Sequence, residues 1–164
     1  MKKHLILACA FLAFCAVSCK KEVPAENSSD ETYFSLPSMD GGKIDLNDYA
    51  GKPVMVMFFT ETCPFCRKAG PAMQKIHEKY SPEGFSVIGI SLKDSPESTK
   101  RFAADLGIKF PLAYSGKEIG RKYRVQGVPF IYLLDKNHKI YDNWMGYDES
   151  YLKEMQDSVE QALK

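Results

Sequence analysis

Residues 53–66 read Pro-Val-Met-Val-Met-Phe-Phe-Thr-Glu-Thr-Cys-Pro-Phe-Cys. From 53 to 60 the run is apolar without alternation, the pattern of a short strand buried on both faces in the middle of a sheet. Pro64 has no N–H to give a ladder, but it suits the first position of a helix, where that N–H would have no partner anyway. From 64 to 80, Phe65, Ala69, Ala72, Met73 and Ile76 recur at helical spacing, and Pro71 is expected to kink the helix. A buried strand therefore feeds a helix through a short loop that ends on Cys63, and Cys66 follows nearly one turn later.

The rest of the chain continues that pattern. Upstream, residues 33–36 and 43–46 flank Asp40-Gly41-Gly42, the signature of a hairpin turn. Downstream, residues 85–92 repeat the buried-strand pattern, and Ser95-Pro96 opens a helix that runs to about Leu106 and stops at Gly107. A short strand is expected at 110–114 and a short helix at 118–123. Strands at 130–135 and 139–145 turn at Lys136-Asn137-His138. Asp148 is expected to cap a last amphipathic helix carrying Tyr151, Leu152, Met155, Val159 and Leu163 on one face. The β-α-β units require a parallel centre and the last hairpin adds antiparallel strands. The expected fold is α/β: a central mixed β-sheet flanked by helices, with an N-terminal β-hairpin.

The first residues differ from the rest. Lys2 and Lys3 precede an uncharged, largely apolar run from Leu5 to Val17, too short for a bilayer-spanning helix of about 20 residues but suited to a secretory signal. The run ends Ala16-Val17-Ser18-Cys19, a loose lipobox that marks Cys19 for lipidation, against a plain signal peptide cleaved near Ser18. Residues 1–18 are thus expected to be a lipoprotein signal, 19–32 a polar tether and 33–164 one domain. That places the protein in a bacterial cell envelope, facing the periplasm or the exterior. The 164 residues are 45% hydrophobic and 26% charged, with 22 Lys and Arg against 21 Asp and Glu. A net charge of +1 leaves no basic excess for a nucleic-acid backbone.

Of five cysteines, three lie at or before residue 19, so only Cys63 and Cys66 remain in the domain. A loop this small removes little unfolded-state entropy, so the pair is a poor structural clamp. A zinc site needs four ligands, and His77 and His138 stand alone in the sequence. A redox pair remains. Cys63 sits where the helix begins, and the free amides and dipole of that end favour a thiolate, the attacking species in disulfide exchange. Cys66 should be less exposed and resolve the mixed disulfide.

These residues resemble the thioredoxin superfamily, in its membrane-associated TlpA/ResA-like branch. The likeness rests on Asp48-Tyr49-Ala50-Gly51-Lys52-Pro53 before the strand, on Phe58-Phe59-Thr60-Glu61-Thr62-Cys63-Pro64-Phe65-Cys66, on Pro71, and on Gly127-Val128-Pro129 and the Asp135-Lys136-Asn137 turn. It implies a thioredoxin-like fold and a thiol–disulfide oxidoreductase, a reductase of exported proteins, with Cys63 and Cys66 catalytic. It further implies that Pro129 is a cis proline facing the sulfurs, and that Val128, Pro129, Pro64 and Phe65 meet the substrate. Protein dithiols and disulfides, a membrane electron donor and the membrane itself through the lipid are the implied partners; the chain is expected to be a monomer without cofactor or metal.

The departures from that pattern are informative. Thr62 stands where a Trp is usual, Met57 where cytoplasmic thioredoxins bury an Asp, and Ala69 where many ResA-like proteins carry a Glu. Glu61, Lys93 and Asp94 are candidate substitutes for the missing acid, though a solvated surface role is expected of each. The Pro-Phe dipeptide resembles oxidising sites while the whole chain resembles reductases, and the whole chain carries more weight. Thiol peroxidase chemistry lacks its P-x-x-x-T-x-x-C pattern. A copper- or haem-handling chaperone wants a nearby His, and the sequence places none. Trp144, Tyr147 and the seven Met read as packing.

Overall fold

The computed structural model describes residues 31–93 and 95–164. The expected signal, Cys19, the tether up to residue 30, and Asp94 lie outside the described residues. A two-stranded antiparallel hairpin comes first, β1 (Ser35–Pro37) and β2 (Lys43–Asp45). Gly41 and Gly42 take its turn at φ of 97° and 70°, values that residues bearing a Cβ rarely adopt. A 3-10 helix, Leu46–Tyr49, follows at once, because the Asp45 carboxylate accepts from Asn47 N and caps it.

The main sheet has five strands: β3 (Val54–Phe59), β4 (Ser86–Ser91), β5 (Leu112–Ala113), β6 (Phe130–Leu134) and β7 (Ile140–Met145). Their order is β5-β4-β3-β6-β7, parallel among the first three and antiparallel across β3-β6 and β6-β7. Segment 37–39 bonds the outer edge of β5, through Met39 N to Leu112 O and Tyr114 N to Pro37 O. Every residue of β3 is buried, as its unbroken apolar run requires. Met55, Met57 and Phe59 face one core with helices α1 (Pro64–Tyr80), α2 (Pro96–Leu106) and α4 (Tyr151–Ala162). Val54, Val56 and Phe58 face a second core under the hairpin, the 3-10 helix and the segment of helix α3 (Lys117–Lys122).

Helix boundaries follow local chemistry. α1 runs unbroken through Pro71. Ser95 caps α2 by accepting from Ser98 N, and Gly107 ends it at φ 65°. Asp148 does not cap the last helix. Its carboxylate holds a turn by accepting from Ser150 N and Oγ, and α4 starts only at Tyr151 without a side-chain cap. The turn residue His138 is fully buried, and Trp144 is buried with its Nε1 donating to Glu154.

The far end of the sheet, below Val54 and Leu134, is closed by a polar cluster. His138 Nε2 lies 3.1 Å from Tyr49 O, Thr32 Oγ1 donates to His138 O at 2.6 Å, and Tyr123 donates its hydroxyl to Thr32 O. His138 Nδ1 is buried without a partner. Burial holds both His138 and the half-buried His77 below the ordinary histidine range, so both are neutral in the fold. The unfolded chain takes up protons below about pH 6.5 while the folded one resists. Stability is therefore expected to be full above that pH and to fall as pH drops from 6.5 toward the lowered folded values. Urea midpoints between pH 8 and 5 read this. His138→Asn, which tolerates the left-handed φ of 56° found there, should flatten the fall.

Candidate active site

The site lies at the opposite end of the sheet, where β3 ends and β6 begins. After Phe59 the chain turns through Thr60 to Thr62, closed by Cys63 N donating to Thr60 O at 3.2 Å. Cys63 is the N-cap of α1, and its Sγ accepts from Cys66 N at 3.2 Å. One helix-end amide is thus spent on the sulfur itself, at the positive end of the helix dipole. Both cysteines are free thiols, Cys63 part-exposed and Cys66 wholly buried. Burial pushes the Cys66 thiol far above its ordinary range, and a hydrogen bond to Cys63 pushes it further.

The Val128–Pro129 peptide bond is cis. The Cys63 thiol donates to Val128 O at 3.4 Å, so strand β6 begins directly against the first sulfur. Gly146 N donates to Pro129 O at 2.8 Å and Met145 pairs with Phe130, which brings the end of β7 to the same place. Phe65 and Met145 are 55% and 60% exposed. Two large apolar side chains therefore stand in solvent near the site, Phe65 on the helix that carries Cys66 and Met145 at the end of β7, paired with Phe130 next to Pro129. Sequence reasoning placed Phe65 here and missed Met145, which it counted as packing; nothing in an alternating edge strand marks which exposed residue borders a site two strands away.

Met57 and Ala69 are buried in the core that holds Cys66, so no acid stands at either position. Glu61 differs from the solvated loop acid expected of it. It is half-buried, and its Oε1 accepts from Ser91 Oγ at 2.6 Å and Thr99 Oγ1 at 3.0 Å. Lys93 is exposed; its backbone N donates to Ser91 Oγ and its carbonyl accepts from Ser115 N. His77 is packed against Phe110 with Nδ1 accepting from Val87 N, remote from the sulfurs in the sequence of contacts. Among the described residues, no three His, Cys, Asp or Glu are grouped to hold a metal ion.

The AhpC/TSA family matches residues 29–143, most of the chain. This chain belongs to the AhpC/TSA family. Within it, the chain is 30% identical over 141 residues to the thiol-disulfide oxidoreductase ResA of Bacillus thuringiensis subsp. konkukian, covering 82% of each protein. It is 32% identical over 130 residues to the thioredoxin-like protein YneN of Bacillus subtilis, covering 77% of this chain and 76% of YneN. Among solved structures, one assigned as the thiol:disulfide interchange protein DsbE of Chlorobium tepidum superposes with a TM-score of 0.76 at 28% identity, covering 80% of this chain and 94% of that one. These likenesses make the protein a thioredoxin-like member of the AhpC/TSA family and a thiol–disulfide oxidoreductase.

Proposed function

We propose that Cys63 and Cys66 are the exchanging pair and that the protein works as a reductase of exported proteins, held to a membrane by lipid on Cys19. The asymmetry of the two sulfurs carries this reading: one part-exposed at a helix end against Val128 O, the other buried and held as a thiol. The Cys63 thiolate attacks a substrate disulfide, an S–S bond forms to the substrate, and the first substrate sulfur leaves as a thiolate. The Cys66 thiol gives up its proton to that thiolate or to water and attacks Cys63 Sγ. The mixed disulfide breaks, the second substrate sulfur leaves, and Cys63–Cys66 is oxidised as the substrate gains two electrons. Water serves because Met57 and Ala69 offer no carboxylate. The backbone of Val128 and Pro129, flanked by Pro64 and Phe65, receives the substrate chain as an added strand. A membrane partner then returns the two electrons.

The reductase direction rests on Cys66 and on the whole-chain likeness. An oxidant of this fold owes its potential to a stabilised reduced form. Burial disfavours the thiolate of the second sulfur here. Equilibration with glutathione buffers tests this. The pair should titrate below about −220 mV, in the reducing range, whereas a value near about −120 mV would make the protein an oxidant.

A further inference from the structure

The Glu61 carboxylate is bound where nothing in the exchange chemistry requires a carboxylate. Ser91 and Thr99 are both wholly buried, one at the last position of β4 and one in the first turn of α2. A buried hydroxyl needs a partner, and both find the same oxygen, Glu61 Oε1. Thr99 Oγ1 also lies 3.0 Å from Ser95 O, so its single proton is shared between the helix and the loop. Ser91 Oγ in turn accepts from Lys93 N at 3.1 Å, and Leu92 N donates to Phe59 O at 3.0 Å. The short turn bearing Cys63 is thus pinned on one flank to β4 and α2 through Glu61, and on the other Cys63 touches Val128 O.

We propose that Glu61 is a positioning residue for the thiol–disulfide exchange. Its Oε1 clamps the turn 60–63 to Ser91 and Thr99, and so holds Cys63 Sγ between Cys66 N and Val128 O. The clamp needs an acceptor oxygen and not a negative charge or a proton acceptor. It acts on the sulfur in either direction of exchange, so it rests on Cys63 as the nucleophile and not on the reductase direction. Glu61 Oε1 is committed to Ser91 and Thr99, so it governs turnover rather than substrate affinity.

Two variants test this with insulin as the disulfide substrate and dithiothreitol as the terminal reductant. Glu61→Ala should lower kcat about tenfold with KM within twofold of wild type. Glu61→Gln, which keeps the acceptor oxygen and drops the charge, should restore kcat to within about twofold with an unchanged pH profile. In a Ser91→Ala, Thr99→Val background that retains cooperative melting, Glu61→Ala should cost nothing further. If that background does not fold, Ser91→Ala alone should reduce the cost of Glu61→Ala. Three outcomes would overturn the clamp: Gln as impaired as Ala, which assigns the charge or a proton transfer; Ala as active as wild type; or full additivity with the hydroxyl variants. The same ratios are read in oxidation of dithiothreitol by the oxidised protein. A wild type inactive on insulin would then refute the reductase direction without touching the clamp.

Discussion

Cys63→Ser is expected to lose disulfide reduction altogether, a fall on the order of a thousandfold or more, because a serine hydroxyl near neutral pH is a far weaker nucleophile than a thiolate. The fold should not notice. Cys63 is part-exposed at a helix end, and a serine oxygen caps the Cys66 amide at least as well as sulfur does. Cys66→Ser should behave differently. Cys63 can still attack, but the wholly buried position beneath it no longer holds a thiol to resolve the product. One equivalent of substrate should then remain covalently attached and appear on a non-reducing gel as a band of summed mass that dithiothreitol dissolves. Full activity in Cys63→Ser, or no trapped species in Cys66→Ser, would remove these two sulfurs from the chemistry.

Phe59→Ala is expected to have the largest effect on stability. Phe59 is the last residue of β3 and fully buried; its ring stacks on Phe102 of α2 at 4.5 Å between centroids and 22° between planes. It also lies over Gly89, where an added Cβ would come within 3.2 Å of its edge, so β4 leaves room for the ring by having no side chain there. Removing the ring opens a cavity between sheet and helix at a cost of about 3–5 kcal/mol. That is a large part of the roughly 5–15 kcal/mol that holds a domain folded. Urea unfolding should show a lower midpoint with little change in slope, and a loss below about 1 kcal/mol would mean that α2 collapses onto the gap.

Much of this was legible from residue order, and the reasons are local. Pro64 and the helical spacing behind it fix α1 from Pro64 to Tyr80, and Ser95, Pro96 and Gly107 fix α2, because caps and proline act within one turn. The unbroken apolar run fixes β3 as central. What escaped the sequence was made by distant chain. Nothing near Glu61 announces Ser91 or Thr99, which arrive from the next strand and helix. His138 sits in a polar turn and is nonetheless buried, because Thr32 and Tyr49 close over it from more than 80 residues away. Asp148 has the composition of a helix cap, but it spends its carboxylate on the turn before the helix. Met145 reads as core by type and is solvent-facing because strand alternation turns it to the face opposite buried Trp144.

The anchorage of Thr32 on His138 sets how the domain is presented. The chain enters at one pole of the sheet and Cys63 lies at the other, the six residues of β3 between them spanning about 20 Å. If lipid on Cys19 secures the upstream end, attachment is made through the pole that Thr32 occupies, away from the sulfurs, which leaves Cys63 unobstructed by its own anchor. A protein seeking the reactive sulfur would then come to the pole opposite the attachment, about 20 Å away along β3.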